Sequence, residues 1–400
     1  MIKLHARLGK RRDAEPFVAR VARGSLSRSP DREREVLFVD RGESLIPGYR
    51  AYLEAGGRDE SLLPGNPELW PIPEPLHHLS DGDIIRISPR SGELWVMYRR
   101  ASAFNSMLLT EQCNSYCLMC SQPPKAGDDS YLVRAYLEAI PLMSPDTCEL
   151  GITGGEPTLL SEGLLEVIRT CKECLPDTAL HMLSNGRLFN YLTLCREIAA
   201  IGHPDLMIGI PLYSDLPHRH DFVVQADGAF DQTIRGMMNL ARCGVSVEIR
   251  MVLHRETVDR LQQFARFVAR NLPFVDHMAL MGLEMMGFVR MNLDALWIDP
   301  ADYQAQLRLA VAHLQQHGLN VSIYNHQLCV LDRQLWPVAR KSISDWKNEY
   351  LDECHGCTVQ DRCGGFFASS SVRHSDHIRP LGPEMLSAES RLSPAPSFSP

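Results

Sequence analysis

The chain lacks the features that would assign it to several broad classes at once. No run of apolar residues reaches the ~18 that a membrane-spanning helix needs. The N-terminal stretch, Met1-Ile2-Lys3-Leu4-His5-Ala6-Arg7 followed by Lys10, Arg11 and Arg12, has no continuous apolar segment of the signal-peptide kind. Neither sign of charge dominates: 41 basic against 49 acidic residues leave −8, which argues against a surface built for nucleic acid or a membrane. No internal repeat is present. These absences lead to the expectation of a reducing, cytoplasmic setting with no nucleic-acid and no membrane partner.

What is present in number is cysteine, twelve in 400 residues. A chain of this length with 44% hydrophobic residues can bury a core without covalent staples, and it exceeds the roughly 250–300 residues at which one core stops growing. Clustered thiols in such a chain read as metal ligands sooner than as disulfides.

The texture changes along the chain. Residues 1–100 read as a small β-containing accessory domain, with basic residues through 1–34, a proline-rich stretch (Pro64, Pro67, Pro71, Pro73, Pro75) and a β-hairpin near 83–98 around Ser88-Pro89-Arg90-Ser91-Gly92. From about 106, short apolar strands alternate with amphipathic stretches, the pattern of β/α units around a parallel sheet. Strands are expected at Ser106–Thr110, Glu149–Thr153, Ala179–Leu183, Leu206–Leu212, Ser246–Leu253 and Met278–Leu283. Helices are expected at Tyr131–Ala139, Leu164–Cys174, Leu192–Ala200, Phe230–Ala241 and Val258–Val268. The fold class is therefore α/β, with a partial (β/α)6 TIM-like barrel over 101–300. Residues 301–370 follow as an extension with a helix at 301–317, a strand at Asn320–Tyr324 and a cysteine-bearing segment. Residues 371–400, rich in Ser, Pro and His, are expected to form a disordered tail.

The first motif is Cys113-Asn114-Ser115-Tyr116-Cys117-Leu118-Met119-Cys120, directly after the first barrel strand. Three thiolates in eight residues can hold three irons of a cubic cluster and leave the fourth open to a small molecule. A zinc site or a chance group of core cysteines are the alternatives. Structural zinc, however, takes four ligands, and core cysteines would not bracket a polar loop. The second strand ends in Gly154-Gly155-Glu156-Pro157, where paired glycines let the backbone approach a ligand and the carboxylate can accept from an ammonium group. The third ends in Ser184-Asn185-Gly186, with hydroxyl and amide groups suited to a ribose or carboxylate, although Asn-Gly is also an ordinary turn. In a β/α barrel these three strand ends converge on one mouth.

On these motifs, residues 106–290 resemble the radical S-adenosylmethionine superfamily. The resemblance implies a [4Fe–4S] cluster on Cys113, Cys117 and Cys120, with S-adenosylmethionine chelating the open iron. It implies Gly154, Gly155 and Glu156 at the methionine ammonium, and Ser184 and Asn185 at the ribose or carboxylate. The position before the third cysteine, aromatic in most of the family, is here Met119, a thioether that can still pack on adenine. The implied reaction is one-electron cleavage of the sulfonium to methionine and a 5′-deoxyadenosyl radical, supported by a one-electron donor. No general base is required for it, and none is nominated.

Further along, Glu248 and Arg250 share one face of the fifth strand, and Arg250 facing inward would meet a cofactor carboxylate or form a structural ion pair. Tyr213-Ser214-Asp215 through His218, His220 and Asp221 reads as substrate-binding groups or a solvated loop. Met278, Met281, Met285, Met286 and Met291 around Glu284 read as core or as a deformable peptide surface. Cys148, Cys171, Cys174, Cys195 and Cys243 read as core or helix positions. A second group, Cys354, Cys357 and Cys363 with Cys329 as a fourth, has the spacing of a zinc knuckle or an iron–sulfur site. It is similar to the auxiliary-cluster extensions of radical peptide maturases, with Phe367 where a further cysteine would favour a second auxiliary cluster.

The run Leu109–Lys125, together with Tyr324–Cys329, Leu335-Trp336-Pro337 and Ser342–Asn348, resembles the HxsC subgroup, maturases of the His-Xaa-Ser system. That likeness covers most of residues 75–370. It implies a ribosomally made peptide rich in His-Xaa-Ser repeats as substrate and a sister radical maturase as partner. Two alternatives stay open: radical chemistry on a small-molecule cofactor or nucleoside precursor, and a non-catalytic iron–sulfur or zinc protein that senses redox state or binds a partner.

Overall fold

The structure is a computed structural model that describes residues 4–11, 14–23, 31–41, 43, 45–56, 69–341 and 349–383. The segment Ser342–Asn348 and the end of the chain from 384 lie outside the described residues. Two compact units emerge: Met1–Tyr116 with Gln122–Pro211 and Ala226–Glu248, and Cys117–Ser121 with Leu212–Gln225 and Ile249–Pro400.

In the first unit, strands β1 His5–Arg7, β2 Phe17–Arg23, β3 Glu35–Val39, β4 Ala51–Ala55, β5 Leu69–Ile72, β6 Ile84–Ser88 and β7 Glu93–Tyr98 form one sheet in the order β1-β7-β6-β2-β3-β4-β5. β2 to β5 pair in parallel, whereas β6 runs antiparallel to both β2 and β7, and β7 to β1. Glu35-Val36-Leu37-Phe38-Val39 is buried throughout, as a strand covered on both faces requires. Val36, Phe38, Leu53, Ile85 and Leu94 pack on one side, and Leu37, Val39, Tyr52 and Leu69 on the other. The buried Glu35 accepts from Arg20 Nε at 3.1 Å.

The second sheet comprises β8 Asn105–Leu108, β9 Glu149–Thr153, β10 Ala179–Leu183, β11 Leu206–Pro211, β12 Ser246–Leu253, β13 His277–Gly282 and β14 Asn320–Tyr324, ordered β14 to β8. β8, β9, β10 and β11 pair in parallel in the first unit, as do β13 and β14 in the second. Helices α1 Tyr131–Ala139, α2 Glu162–Cys174, α3 Leu192–Ile201, α4 Pro217–Val224, α5 Ala229–Arg242, α6 Arg255–Val258, α7 Leu261–Asn271, α8 Leu293–Leu296 and α9 Gln304–Gln316 lie in the connections. α2 shows the logic: Leu164, Leu165, Val167, Ile168 and Cys171, at helical spacing, are its buried residues. The architecture is an α/β partial barrel. It holds one strand more than the six expected, because α9 acts as a further crossover and returns Asn320–Tyr324 alongside β13.

Residues 371–383 depart from the expected tail. Ser375 Oγ donates to Asp299 Oδ1 at 2.6 Å and Asp376 N to Asp299 Oδ2 at 3.1 Å, while Thr358 N donates to Leu381 O at 2.9 Å. The composition of this stretch signals weak burial, but these hydrogen bonds and the buried Leu381 and Ser375 order it.

Candidate active site and second cysteine group

In the first unit the approach to Cys113 is tightly pinned. Thr110 Oγ1 and Glu111 N donate to Asp129 Oδ2 at 2.7 and 2.6 Å, and Gln112 N donates back to Thr110 Oγ1 at 3.0 Å. The glycine pair after β9 packs directly on this segment. A Cβ on Gly154 would lie 2.6 Å from Thr110 O, and one on Gly155 would lie 2.1 Å from Gln112 O and 3.1 Å from Cys113 Cβ. Gly155 N and Glu156 N donate to Thr110 O and Gln112 O at 2.9 and 2.8 Å. The close approach these glycines allow is therefore to the cysteine segment itself.

Glu156 is fully buried. Its Oε1 accepts from Thr158 N at 3.0 Å, Thr158 Oγ1 at 2.5 Å and Ser184 Oγ at 2.8 Å, and its Oε2 accepts from Asn185 N at 2.6 Å. Burial pushes this carboxyl up, against the pull of four donors. The carboxylate expected as an open acceptor for an ammonium instead ties the end of β9 to the end of β10. Ser184, 4% exposed, points its hydroxyl into the same network.

Asn185 turns toward the cysteine segment. Its Oδ1 accepts from Arg187 N at 3.0 Å, and its Nδ2 donates to Asn114 Oδ1 at 2.6 Å and reaches Cys113 Sγ at 4.0 Å. Arg187, unmarked by any sequence motif, donates through Nη1 to Asn114 O and, at 3.1 Å, to Ser115 Oγ, and through Nε to Gln232 Oε1 on α5 at 2.7 Å. Its one signal in the sequence is its place after Gly186, whose φ of +80° reverses the chain.

The second unit holds the rest of the motif. Leu118 N donates to Val223 O on α4 at 2.9 Å, Asn292 Nδ2 to Leu118 O at 2.9 Å, and Phe288 N to Cys120 O at 2.9 Å. A Cβ on Gly287 would lie 2.2 Å from Cys120 O. Met119 is buried. Tyr213 is buried with its ring 6.0 Å from His220 and 6.3 Å from His254. Burial pushes its hydroxyl up, and both the Cys117 and the Cys120 thiols add to that, so the two sulfurs sit near one phenol. Arg250 Nη2 lies 3.1 Å from Met281 Sδ.

Other expectations resolve locally. Glu248, buried in the first unit, lies 3.3 Å from His181 Nε2. Asp215 is held low by two bonds from Arg260, at 2.9 and 2.6 Å, despite partial burial, and His220 is buried on α4, so this segment is more structural than a solvated loop. Met278 and Met285 are core, whereas Met286 and Met291 are exposed. Cys171 and Cys195 are buried on helices, and burial pushes both thiols up to about 12. Cys174 is exposed but lies on α2, a helix position as expected, whereas Cys148 is exposed ahead of β9, outside the core and helix positions expected.

The second group forms one neighbourhood in the second unit. Burial raises the Cys329 and Cys354 thiols, and the Cys363 thiol raises each further. Cys357 acts on Cys354, and Cys354, Cys357 and Cys363 all act on the Tyr350 hydroxyl. Leu328 N donates to Cys363 Sγ at 3.4 Å, and Tyr350 Oη to Cys363 O at 3.2 Å. All four thiols are free.

Among the described residues no three His, Cys, Asp or Glu side chains converge as for a single ion. A cubic cluster asks for something else, since each thiolate binds its own iron at a separate corner. Cys113 in the first unit, with an amide donor at its Sγ, and Cys117 and Cys120 in the second are each partly exposed thiols, the donor type that such a cluster takes.

Residues 107–268 match the model of the Radical SAM superfamily. The matched stretch of this chain is similar to that family. That family implies a [4Fe–4S] cluster and S-adenosylmethionine, consistent with the cysteine spacing of this domain. A comparison with curated proteins found no match. Among solved structures, the chain is similar to SuiB of Streptococcus suis bound to precursor peptide SuiA, with 14% identity, 55% of this chain and 48% of that chain covered, and a TM-score of 0.43. It is also similar to native anSMEcpe with bound AdoMet (12%, 71% and 94%, 0.49) and to the coproporphyrinogen III oxidase HemN of Escherichia coli (15%, 55% and 54%, 0.42). The match thus spans about half the length of the SuiB chain. No helix among the described residues is long and apolar enough to cross a membrane.

Proposed function

We propose that this protein is a radical SAM enzyme that modifies a ribosomally made peptide. The observation that carries the reading is the Cys113, Cys117, Cys120 spacing inside a matched radical SAM domain. These thiolates would hold the [4Fe–4S] cluster, and Cys329, Cys354, Cys357 and Cys363 an auxiliary one. The first cluster, when loaded, supplies the electron for reductive cleavage of S-adenosylmethionine. The chain's own residues orient and enclose: Glu156 fixes the Ser184–Asn185 turn, Asp129 fixes the entry to Cys113, and Asn292 and Phe288 fix the loop through Cys120. The substrate is a peptide with His-Xaa-Ser repeats, handled with a sister maturase and a one-electron donor in a reducing cytoplasm. What supports this finer reading is the likeness of Leu109–Lys125, Tyr324–Cys329, Leu335-Trp336-Pro337 and Ser342–Asn348 to that subgroup.

The test is anaerobic reconstitution with iron and sulfide, dithionite reduction, and quantification of 5′-deoxyadenosine. Formation is expected, and Cys117→Ala should abolish it. Its absence from the wild type would leave the non-catalytic sensor reading standing. The peptide encoded beside the gene should raise turnover several-fold, and turnover indifferent to it would favour a small-molecule substrate.

A further inference from the structure

We infer that Arg187 and Asn185 form a latch that sets the position and electronic environment of Cys113, Arg187 through the main chain and Asn185 at the sulfur itself. The inference rests on the cluster assignment above and concerns residues of the first unit alone.

Asn185 was expected at the ribose or carboxylate of S-adenosylmethionine, but both ends of its side chain are occupied. The Arg187 backbone N–H, a donor without ambiguity, fixes Oδ1 at 3.0 Å. The amide nitrogen is therefore the end that faces Asn114 Oδ1 at 2.6 Å and Cys113 Sγ at 4.0 Å. Its remaining groups are tied as well, since Asn185 N donates to Glu156 Oε2 at 2.6 Å and Asn185 O accepts from Thr233 Oγ1 at 3.1 Å. A side-chain amide held at both Oδ1 and Nδ2, on a backbone held at both N and O, presents its N–H to the sulfur.

Arg187 closes the other side. One guanidinium nitrogen meets both Asn114 O and Ser115 Oγ, the two residues that follow Cys113, and Nε meets Gln232 Oε1 at 2.7 Å. A planar fork with several fixed donors can hold a loop carbonyl, a loop hydroxyl and a helix amide at once, which an ammonium cannot. Donors to a ligating sulfur stabilise the reduced cluster, and groups behind a metal ligand set its affinity.

The test uses the reconstituted full-length protein, following the EPR signal that S-adenosylmethionine perturbs together with the rate of iron loss to a chelator. Arg187→Ala should release iron from that cluster about tenfold faster, Arg187→Lys should fall between, and Arg235→Ala, on the helix that carries Gln232, which loses only an exposed bond to Asn190, should match wild type. Asn185→Ala should lower the midpoint potential of the same cluster. If Arg187→Ala fails to fold, Arg187→Lys and Asn185→Ala carry the test. Iron release and potential unchanged in both, with Asn185→Ala instead weakening S-adenosylmethionine binding, would overturn the latch and return Asn185 to the cofactor. A wild type that takes up no iron would remove the cluster assignment, an outcome distinct from variants that behave like a loaded wild type.

Discussion

His254 is fully buried, and neither ring nitrogen has a hydrogen-bond partner among the described residues. Its ring lies 6.3 Å from that of Tyr213, at the start of the α6 turn. Burial holds its pKa down at about 3. A folded-state value below the ordinary 6.5 means that folding favours the neutral ring. That contribution is complete above pH 6.5 and is lost as the pH falls from there toward 3. Between pH 7.5 and 5.0 the loss from this one group is about 2 kcal/mol. Urea denaturation at both pH values should show the wild type losing that much more stability than His254→Leu, and equal losses would mean that the ring is solvated or paired. Residues of this kind are hard to read in a sequence, where His254 is one of fifteen histidines. Glu156 is the converse case. Its motif was legible, but the direction of its carboxylate was not, because that depends on Ser184 and Asn185, 28 and 29 residues away.

At the scale of elements, α5 and the turn after β10 show how closely the fold is packed behind the site. Gly186 has φ +80° and sits where a Cβ would lie 2.8 Å from Ile210 Cγ2. Gly236, mid-helix, sits where a Cβ would lie 2.2 Å from Gly186 O. An alanine in a helix interior ordinarily stabilises by about 0.5–1 kcal/mol over glycine. Here the methyl would collide with a backbone carbonyl that cannot swing aside, so Gly236→Ala should destabilise by about 1–3 kcal/mol, the usual range for overpacking. The shift of the urea midpoint measures it, and a stabilised variant would mean that helix and turn part easily. Barrel strands and helices were legible nearly to the residue, as in Glu149–Thr153, Ala179–Leu183 and Tyr131–Ala139, because each carries its own period, and the two strands end in a glycine pair and in Ser184-Asn185-Gly186. The sheet of β1 to β7 was legible only at its hairpin. Parallel pairing of β2 through β5 has no local turn to announce it, and it joins segments whose connections lie largely outside the described residues.

At the scale of the whole molecule the division into units was not legible, since it falls inside one motif: Cys113 belongs to the first unit and Cys117–Ser121 to the second. Contact between distant segments, such as Phe288 with Cys120 and Asn292 with Leu118, decides that membership, and no local pattern encodes it. The second group was legible as a spacing, with Cys329, 25 residues before Cys354, as its expected fourth member, and the Cys363 and Cys354 thiols raise that of Cys329 after burial. Two cubic clusters would give roughly eight irons per reconstituted chain, and one cluster with a zinc ion roughly four. Cys354→Ala should bring the count to about four and leave the S-adenosylmethionine-sensitive EPR signal in place, because Cys113, Cys117 and Cys120 are untouched. Cys117→Ala should remove that signal and keep the other four irons. Cys329→Ala should behave like Cys354→Ala, since the Cys363 and Cys354 thiols both act on Cys329. A Cys329→Ala protein with its full iron complement would exclude Cys329 as a ligand, and a wild type with four irons and one zinc would make the second group a zinc site.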